Sequence, residues 1–298
     1  MSALLLLFIC LAFGLAAARW AKPPPTLAQS LNWWVMNIAL PALVLDLIPK
    51  LHFDPQLWFL PVAMWLVFGG AWLFFAILGP RLGWSRSRIG ALILVAGLGN
   101  TAFMGYPMVE ALRGEEGLGL AVIADQLGCF VALAMGGVAV TAVYAGETLH
   151  PLLVLRRILL FPSFLALAAG VIVGLLGGWP DALHQVLSRL GASLTPLALF
   201  SVGLQFRLRL NRSQLGALAA GLGWKLVLAP LACWALGVVT GVPPLVLAVG
   251  VLQAAMAPMI SAGIMAEQYD LDPPLANTMV GVGILLSLLT IPLANVVL

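Results

Sequence analysis

Apolar segments of about 20 residues follow one another along this chain, parted only by short joints, and no feature limits the possible folds more. A helix needs about 20 predominantly apolar residues to cross the hydrocarbon core of a bilayer. Cutting at the charged and Pro/Gly-rich joints leaves ten such segments: roughly 2–18, 28–48, 57–79, 89–111, 117–144, 158–178, 184–205, 215–239, 243–266 and 274–297. The joints RWAKPPPT (19–26), GPRLGWSRSR (79–88) and AGETLHPLLVLRR (145–157) are too short to hold an extramembrane domain. Composition agrees. Hydrophobic residues make up 62% of the chain and charged ones 8%, against about 25% charged in a soluble domain. Lipid offers no partner to a backbone N–H or C=O, so segments of this kind must be helices. The expected fold class is an all-α integral membrane protein with ten transmembrane helices.

Several function classes drop out. The net charge of +3 comes from basic residues scattered through short loops, with no basic face, so no nucleic acid is expected. Cys10, Cys129 and Cys233 lie in apolar runs without metal-ligand spacing and read as buried filler. His52, His150 and His184 fall in or near loops, and no Ser/His/Asp set, zinc motif or phosphate loop appears. No catalytic residue, metal or cofactor is therefore expected. The N-terminal LLLLFICLAFGLAAARW (4–20) has no Lys or Arg before its apolar run, so it reads as a first helix and not as a signal peptide.

Orientation follows from Lys and Arg. With the N-terminus outside, the inner loops hold Arg19, Lys22, Arg81, Arg86, Arg88, Arg156, Arg157, Arg207, Arg209 and Arg212, and the outer loops only Lys50, Arg113 and Arg189. Both termini are expected on the non-cytoplasmic side of the cell (inner) membrane. The sequon at 211–213 then falls in the cytoplasm and carries no meaning. Ten spans divide into halves of five, residues 1–148 and 149–298. Five is odd, so two halves of one fold must be inverted repeats. An offset of 155 residues pairs Pro41 with Pro196, Ala102 with Ala257, Met104 with Met259 and Gly128 with Gly283.

Two segments are poor helices. AGLGNTAFMGYPMVEAL (96–112) carries Gly97, Gly99, Asn100, Gly105 and Pro107. The same offset maps it onto LQAAMAPMISAG (252–263), which Pro258 interrupts. Interrupted spans at corresponding places in two halves point to the binding site of a transporter. A half-helix N-terminus there presents N–H groups and a positive dipole end, which suits a carboxylate.

At these residues the chain resembles the auxin efflux carrier family, which holds the plant PIN carriers and bacterial relatives, some of them malonate transporters. GNTAFMGYP (99–107) and GEEGLGLAVIADQ (114–126) resemble that family's fourth and fifth helices, and QAAMAPMISAGIMAEQYDLDPPLANTMVGVGILLSLLTIPL (253–293) its ninth and tenth. The resemblance implies ten helices in two inverted five-helix repeats, with helices four and nine broken and crossing, and a scaffold unit beside a moving transport unit. Gly99 stands where plant carriers tend to have Pro, and the long central loop of plant carriers is absent, so auxin itself is not carried over as the substrate.

The candidate substrate-binding residues are Gly99, Asn100, Thr101, Gln253, Ala257, Pro258, Met259 and Ser261. Asn100 can donate and accept hydrogen bonds at the break, or simply cap a half-helix. Glycines at the break allow unwinding, or ordinary close packing. For coupling or support the candidates are Asp125, Gln126, Lys225 and Asn277. An acid within a span is a functional hypothesis by default; the alternative is a paired interior acid. Lys225 attracts an anion, balances Asp125, or snorkels to the inner face. The function expected is secondary active transport of a small organic anion, a mono- or dicarboxylate, by alternating access. Protons or sodium are the candidate coupling ions and a homodimer the expected assembly. An anion channel and a non-transporting membrane sensor are the alternatives. An intramembrane enzyme would need a second acid near Asp125.

Overall fold

The computed structural model describes residues 2–51, 54–148, 150–206 and 214–298. Among the described residues every extended regular element is helical: α1 (Ser2–Ala16), α2 (Leu27–Lys50), α3 (Pro55–Arg81), α4 (Arg86–Gly97), α5 (Thr101–Ala145), α6 (Pro151–Leu159), α7 (Pro162–Leu175), α8 (Asp181–Gln205), α9 (Leu215–Thr240), α10 (Pro244–Ala254), α11 (Ile260–Gln268) and α12 (Pro273–Val297). Arg207, Arg209 and Arg212, the 211–213 sequon and His52 lie outside the described residues.

Local chemistry sets the ends. Ser85 precedes α4 and its hydroxyl accepts from Arg88 N at 3.2 Å. Asp272 does the same for α12 through Leu275 N, with Pro273 in the first turn, where a missing N–H costs nothing. Gly241 closes α9 with φ 66°. Within α5, Gly114 has φ 71° and ψ −166°, a conformation only glycine takes easily, and it parts the segment at GEEG (114–117).

Six helices are long and apolar enough to cross a membrane, α2, α3, α5, α8, α9 and α12; α6 and α7 together make a seventh candidate, bent by 56°. The protein is therefore a multi-pass membrane protein. The 145–157 joint is not loop throughout, because its second half forms α6 with Leu152, Leu153 and Leu155 exposed. α4 has 12 residues and α10 has 11. At 1.5 Å per residue each is roughly 16–18 Å long, about half of a crossing.

The chain forms two compact units. The first comprises Met1–Asp54, Ala102–Val122 and Arg156–Phe206. In it α1 crosses α8 where Gly14 meets Gly203: a Cβ added to Gly14 would lie 2.2 Å from Phe200 O and 2.8 Å from Gly203 Cα. Small residues at such a crossing let two backbones approach where no hydrophobic effect drives helices together. Polar bonds fasten the same unit, Trp34 Nε1 to Ser193 Oγ at 3.1 Å and Trp179 Nε1 to Leu45 O at 2.8 Å.

The second unit comprises Pro55–Thr101, Ile123–Leu155 and Arg207–Leu298. α3 packs against α4, α9, α10 and the 124–129 turn. Phe59, fully buried, fills the gap left by Gly237 and Gly250. Among the π-helical turns here are Ala124–Cys129 and Trp224–Leu228. Such widened turns are rare and often mark functional positions. They carry Asp125 and Lys225.

Candidate functional site

Both glycine- and proline-interrupted segments break, and the breaks bind to each other. α4 ends at Gly97, and Leu98 is extended, with φ −114° and ψ 125°. α10 ends at Ala254, and Met259 is extended, with φ −71° and ψ 131°. Asn100 N donates to Ala257 O at 2.7 Å, and Met259 N donates to Leu98 O at 3.0 Å. Gly99 and Pro258 thus face each other as one antiparallel bridge. In this pattern the facing pair exchanges no bonds of its own and its Cα atoms come closest. That geometry explains both residues. Pro258 loses nothing by lacking an N–H, and Gly99 leaves clear the space where an added Cβ would lie 2.9 Å from Lys225 Nζ. The two bonds matter because an unpaired amide in an apolar interior costs a few kcal/mol.

A polar cluster surrounds the bridge within the second unit. The Thr101 hydroxyl donates to Asp125 Oδ1, and Gln126 Nε2 donates to Asp125 Oδ2 at 2.8 Å. Gln253 Nε2 donates to Thr101 O at 3.3 Å, tying the end of α10 to the start of α5. Lys225 Nζ donates to Ala254 O at 2.9 Å. Asn100 is 3% exposed, Asp125 4% and Lys225 1%. In this conformation the cluster is closed to solvent.

The sequence matches known proteins over nearly its whole length. The family model described as "Membrane transport protein" matches residues 1–294. The chain belongs to the membrane transport protein family. This is the auxin efflux carrier family that the sequence resembles. Two relatives show the breadth of the family. An uncharacterized transporter of Methanothermobacter thermautotrophicus is 27% identical over 273 residues, 91% of this chain and 89% of the relative. An uncharacterized transporter of Methanocaldococcus jannaschii is 26% identical over 285 residues, 89% of this chain and 88% of the relative.

Within this family member, Gly99, Asn100, Thr101, Gln253, Ala257, Pro258, Met259, Asp125, Gln126 and Lys225 lie at the crossover or bond to it. Ser261 lies three residues beyond Pro258, on α11, and is exposed. Asn277 lies apart on α12, where Nδ2 approaches Glu267 Oε2 at 3.5 Å. Cys129 is not mere filler: its Sγ donates to Gly99 O at 3.3 Å. The signal for it was its place four residues after Asp125, on the same helix face. An apolar cleft of about 310 Å³, lined by Leu226, Pro230, Trp234 and Val251 among others, touches none of these polar groups and offers nothing to a carboxylate.

The first unit holds a charged cluster that the sequence left scattered. Asp46 is ion-paired with Lys50 at 3.3 Å and lies 3.2 Å from His184 Nδ1, and Lys50 reaches Glu115 at 2.8 Å. Glu110 accepts from Thr195 at 3.2 Å.

Proposed function

We propose that this protein is a secondary active transporter of a small organic anion, a mono- or dicarboxylate, whose carboxylate binds at the crossover of the two broken helices. One observation carries the reading: the Gly99–Pro258 bridge, which holds two helix starts, at Thr101 and at Ile260, beside one buried polar cluster. The first-turn N–H groups of a helix have no partner within the helix. With the dipole they supply roughly 0.5 of an elementary charge of positive character at each end, so no arginine is required. Asn100 adds a neutral donor.

The architecture proposed with this function is ten transmembrane helices in two inverted repeats. α1 supplies one span, α4 with 101–113 a broken one, 115–145 another, α6–α7 the sixth, and α10–α11 the second broken one. Both termini lie on the non-cytoplasmic side of the cell membrane. An elevator-like or rocking motion alternates access, and the two compact units are the candidates for its moving and fixed bodies.

The test is a thermal-shift screen of carboxylates, malonate and indole-3-acetate included, on detergent-purified protein. A ligand bound only by the folded state raises apparent stability, by about 2.7 kcal/mol at 100 times its Kd. The hit is then measured on Asn100→Ala. Losing one hydrogen bond to a charged group removes about 1.5–3 kcal/mol, so affinity falls about 10- to 150-fold. The backbone bond to Ala257 survives, and the melting temperature stays near that of the wild type. Unchanged affinity in a well-folded variant places the substrate elsewhere. Saturable, gradient-coupled uptake in proteoliposomes distinguishes a transporter from a channel.

A further inference from the structure

Lys225 carries an ammonium group into the second unit and sets it against the crossover. Nζ donates to the carbonyl of Ala254, the last residue of α10, at 2.9 Å. On another side it rests on Gly99: a Cβ built there would lie 2.9 Å from Nζ and 3.5 Å from Cε. Gly99 does not take a positive φ. Glycine at this position therefore serves space and not backbone conformation, and the occupant of that space is the Lys225 head group. Beyond Gly99, the Thr101 hydroxyl turns toward the Asp125 carboxylate, and Cys129 Sγ meets Gly99 O.

A charge held inside a membrane protein must be paired or bonded to carbonyls. Where transporter helices unwind, the released carbonyls commonly coordinate a sodium ion. Here a carbonyl at the unwound end of α10 is bonded by a cation that belongs to the chain. The widened turn Trp224–Leu228 delivers it, and glycine clears its place.

We infer that Lys225 is the resident cation of the crossover: its ammonium takes the position at the released Ala254 carbonyl that a free sodium or potassium ion would otherwise fill, so the protein binds its anion with neither ion. The inference rests on the crossover as the anion site, but its main test needs no substrate. The Tm of detergent-purified wild type, Lys225→Ala and Lys225→Met is measured in choline, sodium, potassium and methylammonium chloride at equal ionic strength. Wild type melts at one temperature in all four salts. Lys225→Ala, which leaves room for an ion, melts about 5 °C or more lower in choline and regains at least half of that loss in sodium or methylammonium. Lys225→Met fills the room without charge and is not rescued by either.

Sodium-specific stabilisation of wild type overturns the inference. So does a Lys225→Ala protein that melts like wild type, or one that no cation restores, including one that folds in none of the salts. Rescue of Lys225→Met equal to that of Lys225→Ala also counts against it, because the salt effect is then not local. Malonate-induced shifts of wild type are compared in choline and sodium and are expected to be equal. Absence of any shift with malonate or other carboxylates sinks the anion reading and leaves the salt comparison to decide Lys225.

Discussion

Asp125 receives a neutral donor at each carboxylate oxygen, the Thr101 hydroxyl and the Gln126 amide. Through Thr101 it is one hydrogen bond from the break. We predict that Asp125→Asn abolishes pH-gradient-driven accumulation of the anion found in the screen while exchange of that anion continues. The measurement is uptake and counterflow in the same proteoliposomes. Undiminished accumulation reduces Asp125 to a structural acid. Some stability is lost in either case, about 1–3 kcal/mol, because an amide cannot accept at both positions. Asn100, Thr101 and Asp125 were legible as candidates from residue type alone, since amides, hydroxyls and acids are costly within a span. Cys129 was not, because a thiol in an apolar run reads equally well as filler.

At the scale of the element, the crossover depends on shapes that propensity does not express. Gly283 of α12 lies under the Pro258 ring, and a Cβ there would fall 2.3 Å from Cδ and 2.8 Å from Cγ. A proline ring cannot rotate away. Gly283→Ala is therefore predicted to destabilise by about 1–3 kcal/mol and to weaken anion binding by displacing the bridge. Gly69→Ala on α3, where nothing lies within 4 Å of the added Cβ, is predicted to be neutral or stabilising by up to about 1 kcal/mol. Thermal melts of the pair check this; equal Tm values for both variants would mean that α12 yields without strain. The offset of 155 residues brought Gly128 and Gly283 together as counterparts. In the structure Gly128 packs on Met64 and Pro61, and Gly283 on Pro258. The bridge itself joins Gly99 to Pro258 at a slightly longer spacing. The helix Pro151–Leu159 was hidden in a joint because PLLVLRRIL is too short and too charged to read as a span.

At the scale of the whole molecule, the distribution of Lys and Arg predicts that the termini face one side and the 267–273 turn the other. Single cysteines at position 296 and in that turn, on a Cys-less background, test it with a membrane-impermeant thiol reagent. Labelling at 296 in intact cells and in the turn only after permeabilisation is expected; the reverse order overturns the assignment.

Membrane residence, helicity and the positions of the two weak helices were written in the sequence. Hydropathy and helix-breaking residues act locally, and lipid admits few backbone forms. What only the tertiary structure decided is pairing. Leu98–Asn100 meets Ala257–Met259, Lys225 ends beside Gly99, and Asp46 meets His184. Each of these joins groups whose spacing along the chain carries no period. A bond of that kind is set by which helices pack side by side and by the register at which they pack, and both are settled by the summed contacts of whole elements, not by the residues that the bond happens to unite.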